Sequence, residues 1–244
     1  AMKQVSAPSA RTSAPASAWI AIIIGIFAVS SSAVLARLAQ GEGVPSLIIA
    51  AFRLIAATLV LTPFVLSRHR SAFAALKRSD WILLATAGVF LALHFATWIS
   101  SLEFTSVLIS TVLVTTTPIW VSALEVTFLK ARLNRWIILG LVECIVGGIF
   151  IGITGSNTGG AGTNPLWGGT LALIGAVTVA VYMVIGRSVR ARLGLLPYIY
   201  VVYGCAAIVL LFIVAFSRLS SVGYSGSAYV YMALIALFPQ IIGH

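Results

Sequence analysis

Five residues between Glu103 and Lys130 share one face of an otherwise apolar stretch: Thr111, Thr115, Pro118, Ser122 and Glu125, at steps of 4, 3, 4 and 3. At roughly 100° per residue they fall within about 40° of one line on a helix. Hydroxyls and a carboxylate aligned this way offer hydrogen bonds to a polar solute, or to a neighbouring helix. Pro118 cannot donate to the carbonyl of Val114, so a backbone acceptor is expected free on the same face. A second constellation is His94 with Trp98, an i, i+4 pair joining a titratable ring to a large aromatic surface. Thr178 with Tyr182, and Ser30 to Ser32, extend the set of candidate solute-binding groups. So does Gln240, which follows Pro239 and places an amide beside the carbonyl that the proline frees.

Two charges lie deep in apolar runs. Arg53 is about 12 Å and Glu143 about 13 Å into their segments at 1.5 Å per residue. An unpaired carboxylate at that depth costs about 2.5–3.5 kcal/mol. Glu143 is therefore expected to be protonated, to line water or to pair, with Arg53 as its mate, and it is the candidate for proton coupling. Glu125, beside Lys130 and Arg132, is expected to form an interfacial ion pair.

The elements that must hold these groups are membrane spans. The 244 residues are 60% hydrophobic and 8% charged, against about 25% charged in soluble domains. Apolar runs cover Trp19–Ala39, Pro45–Ser67, Trp81–Ser101, Phe104–Leu129, Asn134–Ile153, Leu166–Gly186, Pro197–Ser217 and Tyr229–His244. About 20 apolar residues cross a bilayer core, so the chain reads as an all-α polytopic membrane helical bundle with short linkers. Residues 1–18, rich in Ala, Ser and Pro, read as a disordered tail.

The net charge of +10 does not point to nucleic acid, because the basic residues lie between the spans. Lys3 and Arg11 are on the tail. Arg68, Arg70, Lys77 and Arg78 follow span two; Lys130, Arg132 and Arg135 follow span four; Arg187, Arg190 and Arg192 follow span six. That places twelve of the fifteen on one side, and the positive-inside rule makes the N-terminal tail cytoplasmic. The chain is expected in the inner or plasma membrane. Cys144 and Cys205 both fall inside apolar runs and imply no disulfide framework.

A repeat runs through the chain. Trp19 and Trp167 open spans one and six, Pro45 and Pro197 open spans two and seven, and His94 and His244 sit in spans three and eight, at offsets of 148, 152 and 150. An odd number of spans separates the copies, so the second is inverted, which is an architecture of transporters with a site near midplane between halves. His244 thereby becomes the symmetry mate of His94. The spacing predicts counterparts of spans four and five near positions 254–303, so about eight helices of a ten-helix protein are expected here. Residues 19–153 form the first repeat and 154–244 a truncated second one. Gly140, Cys144, Gly148 and Gly152 make a ladder for close helix packing, or for a homodimer contact.

The segment EFTSVLISTVLVTTTPIWVSALEVTFLKARLNRWIILGLVECIVGGIFIGI, with AFRLIAATLVLTP around Arg53, resembles the EamA-like family of the drug/metabolite transporter superfamily. The resemblance covers the chain from Trp19 onward. It implies two inverted five-helix repeats that export small solutes such as amino acids by alternating access, with the lipid bilayer as its setting and no cofactor. One departure stands out: the family's Gly-Glu-Arg/Lys turn after span four here reads Leu129-Lys130-Ala131-Arg132.

Other classes fit less well. A membrane enzyme acting on a lipid or isoprenoid needs clustered carboxylates or histidines to hold a metal or diphosphate, and the chain has a single Asp, Asp80. No metal site is expected. A channel or scaffold is the third class, and the chain shows no ring-forming filter motif for it. Gly159, Gly160 and Gly162 form no phosphate loop, because no Lys-Ser/Thr follows them.

Overall fold

The computed structural model describes residues 16–155 and 162–243, with side chains from 19 to 151 and from 162 to 243. Ten α-helices follow in order among them: α1 (Ala16–Gly41), α2 (Ser46–Arg68), α3 (Arg70–Ala74), α4 (Arg78–Phe104), α5 (Val107–Val114), α6 (Thr117–Leu129), α7 (Arg135–Gly155), α8 (Pro165–Arg190), α9 (Leu195–Ser217) and α10 (Gly226–Ile235). The last runs on as a π-helical stretch, Ala236–Ile242. Six segments of the described chain are long and apolar enough to cross a bilayer, counting α5 and α6 together. The result is the all-α membrane bundle that composition predicts.

Local chemistry sets the helix ends. The side chains of Ser106, Asn164 and Ser225 accept from the N–H groups of Ile109, Trp167 and Ala228, each satisfying a donor orphaned at a helix start. Pro165 occupies the first turn of α8, where no N–H is needed. At the other end of the bundle α6 stops at Lys130, which adopts the left-handed conformation with φ 50°.

Span four departs from expectation. The sequence predicts one helix over Phe104–Leu129 with Pro118 freeing the Val114 carbonyl, but the helix breaks earlier, between α5 and α6 at Thr115 and Thr116. The hydroxyls of Thr115, Thr116 and Thr117 donate to the carbonyls of Val112, Leu113 and Val114 at 2.9, 2.6 and 2.7 Å. These hydroxyls add donors around the interruption, where the Leu113 carbonyl also keeps the Thr116 amide at 3.2 Å, and Pro118 becomes part of the first turn of α6.

The core is centred on α4, which packs against α8, α9 and α2. Gly88 allows the α4–α9 approach: a Cβ there would stand 2.5 Å from Cβ of Cys205. The three most extensive contacts are α4 with α8, α4 with α9 and α2 with α9. Exchanging spans one and six, two and seven, and three and eight converts the first into α10 with α1 and the second into the end of span eight with α2. It leaves the third unchanged. Both converted contacts are present. Arg37 donates to the Leu102 carbonyl at the C-terminal end of α4. Glu103 accepts from the Ser46 amide at 3.1 Å and from its hydroxyl. These bonds bind α1, α2 and α4 together at the end of the bundle opposite the arginine-rich linkers.

Candidate functional site

A cavity of about 380 Å3 lies between α1, α2, α4, the α5–α6 break, α8 and the π-helical stretch. Its wall includes Ser30, Ser32, Arg53, His94, Phe95, Trp98, Thr111, Thr115 and Thr117, completed by apolar residues such as Val114, Val179 and Met183. Both halves of the chain contribute to it.

Arg53 is the most enclosed charge in this wall, at 1% exposure. Its Nε donates to Oε1 of Gln240 at 2.8 Å and its Nη1 to Oγ of Ser32 at 3.2 Å. The guanidinium carbon lies 4.0 Å from the centre of the Phe95 ring, within cation–π range. The expected pairing of Arg53 with Glu143 is not made. Glu143 stands on an exposed face of α7, a helix that packs against α5, while Arg53 points toward the end of span eight. Depth along a span fixed the level of both charges, but not the side to which either one turns.

His94 Nδ1–H donates to the Gly175 carbonyl at 2.8 Å, tying α4 to α8. Its ring stacks on Trp98, with centroids 5.7 Å apart and planes at 13°, and lies 4.8 Å from Phe95. Gly175 makes this contact close, since a Cβ there would stand 3.1 Å from Cβ of Trp98. The indole Nε1 of Trp98 and the hydroxyl of Thr111 are buried with no hydrogen-bond partner among the described residues. Gln240 Nε2, beside Arg53, is in the same state.

The cavity therefore gathers His94, Trp98, Thr111 and Thr115 from the sequence-predicted set, with Ser30 and Ser32. Gln240 reaches it through Arg53. Thr178 is buried behind the wall, its hydroxyl bonded at 3.0 Å to the same Gly175 carbonyl that His94 uses. Pro118 and Ser122 are outside the lining, because the break ends the single helical phase on which they were aligned. Tyr182 lines a different cavity, its ring stacked on Tyr198 at 6.3 Å. His244 lies outside the described residues. Phe95, Thr117, Val179 and Met183 were not anticipated. An aromatic beside His94 and a third Thr before Pro118 were the signals for the first two.

The second cavity, about 560 Å3, sits toward the arginine-rich end and is lined by Tyr182, Arg187, Arg190, Tyr198 and Tyr203. Val179 and Met183 line both cavities, so these two side chains separate them. Near this end Glu125 pairs with Arg187 of α8, not with the neighbouring Lys130 or Arg132. Asp80 pairs with Arg192 at 2.8 Å.

The model of the EamA-like transporter family matches residues 16–153. The chain belongs to that family. Its members are transporters of the drug/metabolite transporter superfamily. A solved crystal structure is similar to this EamA-like chain with a TM-score of 0.62, covering 92% of this chain and 76% of its own. The identity is 21%, so that likeness speaks for the fold alone. No curated protein matches the chain.

Proposed function

We propose that this EamA-like chain is a secondary carrier that exports a small metabolite across the inner or plasma membrane by alternating access, with its N-terminus in the cytoplasm. The observation that carries the reading is the cavity at mid-span, walled by both halves of the chain and by an interrupted helix. Transporters place their sites at such interfaces, beside discontinuous helices. Val179 and Met183, shared by the two cavities, are the inner gate in this reading, and the Glu125–Arg187 pair spans the α6–α8 seam that must open. His94, Trp98, Thr111 and Thr115 contact the solute. The uncovered α7 face with Gly140 is where a second copy packs in a homodimer.

Counterflow in reconstituted vesicles tests the carrier. Accelerated uptake of labelled solute into vesicles preloaded with the same solute is the expected result. Downhill flux without exchange would identify a channel and overturn the proposal.

A further inference from the structure

We infer that the central cavity takes a small organic anion, a carboxylate on an apolar or aromatic body, with Arg53 as its counter-ion. The inference rests on the carrier reading and names its substrate class.

The first argument is charge. Arginine stays protonated in proteins, and a cation at mid-span needs a partner. The partners of Arg53, namely Gln240 Oε1, Ser32 Oγ and the Phe95 ring, are all neutral. The chain has five acidic residues, and each is accounted for elsewhere. Asp80 and Glu125 hold Arg192 and Arg187. Glu42 accepts from Ser225, Glu103 from Ser46, and Glu143 is exposed on α7. Among the described residues no carboxylate balances Arg53.

The second argument is hydrogen bonding. The indole N–H of Trp98, 8% exposed, and the Thr111 hydroxyl are buried without partners, and so is the Gln240 amide nitrogen. Unmade donors in a buried wall are costly. A cation among spare donors fits an acceptor-only group, which is what an ionised carboxylate is. An ammonium would meet Arg53 and find no acidic side chain in the lining. The third argument is shape: Phe95, Trp98, Val114, Val179 and Met183 leave room in about 380 Å3 for an apolar body.

Three matched probes test this on the purified protein: 3-phenylpropanoate, 3-phenylpropanamide and 3-phenylpropylammonium, titrated by tryptophan fluorescence and thermal stabilisation. The carboxylate is expected to bind at least about tenfold more tightly than the amide, the return on one charge-assisted hydrogen bond, and the ammonium is expected not to bind. Gln240→Glu places a carboxylate beside Arg53 and is expected to keep the fold while erasing the preference for 3-phenylpropanoate. Trp98→Phe keeps a ring, loses the donor, and is expected to weaken carboxylate binding by about threefold or more. Equal binding of the amide or the ammonium, binding of none of the three, or an undiminished preference in Gln240→Glu would each overturn the anion site. Carboxylate-selective binding without counterflow would remove the carrier reading and leave the anion site. Counterflow of an ammonium solute would do the reverse.

Discussion

Arg53 and Gln240 are 187 positions apart in sequence and are joined by a 2.8 Å hydrogen bond from Nε to Oε1. The bond links span two to the π-helical end of span eight, so one contact ties the two halves of the chain together across the cavity. The π turn makes it possible by seating Pro239 and Gln240 where α1 and α2 meet. Tyr203 on α9 donates to the Gln240 backbone carbonyl at 3.4 Å and steadies the same turn.

Gln240→Leu removes the acceptor and leaves the guanidinium with Ser32 and Phe95. A hydrogen bond to a charged group contributes about 1.5–3 kcal/mol, so the variant should unfold at clearly lower temperature in detergent. A melting temperature equal to that of the parent would show that the bond does not hold the halves together.

The two ion pairs at the arginine-rich end should differ in weight. Arg187 is 70% exposed, and such pairs contribute about 0–1 kcal/mol. The Asp80 side chain is 4% exposed, accepts from the Lys77 amide at 3.0 Å at the start of α4, and holds Arg192. Asp80→Ala should cost about 1–2 kcal/mol through the lost cap and helix-end charge, and Glu125→Ala distinctly less. Equal losses in thermal unfolding would contradict this ranking.

Much of this was legible in the chain. The described parts of the eight apolar runs are largely helical, with a break in span four, and six are long and apolar enough to cross a bilayer, because composition and length decide a span almost alone. The depth of His94 and the helical phase of Thr111 and Thr115 were enough to bring them to one cavity. Phase failed beyond Thr115, since the helix is interrupted at Thr115 and Thr116, in the turn before Pro118. There the hydroxyls of Thr115, Thr116 and Thr117 bond the carbonyls of that turn. The partner of Arg53 was also hidden. A contact spanning 187 positions leaves no local pattern, whereas Glu143 lies at a matching depth and so looked like the mate.

The break itself predicts a test. Thr117→Val keeps shape and removes the hydroxyl that satisfies the Val114 carbonyl at 2.7 Å. Membrane hydrogen bonds of this kind contribute about 0.6 kcal/mol on average and up to about 1.7. The variant should lose stability in that range and transport more slowly, since Thr117 also lines the cavity. Parent-like stability and flux together would show that the Thr117 hydroxyl is dispensable.

Glu42 follows α1 and accepts a hydrogen bond from Ser225 at 2.6 Å. That bond, with help from Ser227, holds its carboxyl below the usual value of 4.5. A depressed carboxylate stabilises the fold above its unfolded pKa, and the contribution fades as pH falls through the lower folded value. The joint between α1 and the start of α10 should therefore loosen in acid below about pH 4.5. Ser225→Ala should flatten that part of the pH–stability curve. An unchanged acid limb in the variant would show that the pair plays no part.

The sharpest contrast is between His94 and Glu143, the two titratable groups expected near midplane. His94 faces the cavity, bonds Gly175 across the α4–α8 seam and stacks on Trp98. Glu143 is exposed on α7, outside that lining. His94→Ala removes a wall group and a cross-helix hydrogen bond, so counterflow should fall by about tenfold or more, the factor that 1.4 kcal/mol represents, while the protein still inserts. Glu143→Gln should leave counterflow and its dependence on a pH gradient unaltered, because the carboxylate lies outside the cavity lining. If Glu143→Gln instead abolished the response to a pH gradient while His94→Ala kept full flux, the solute path would have to run past α7, and the cavity around Arg53 would not be the transport site.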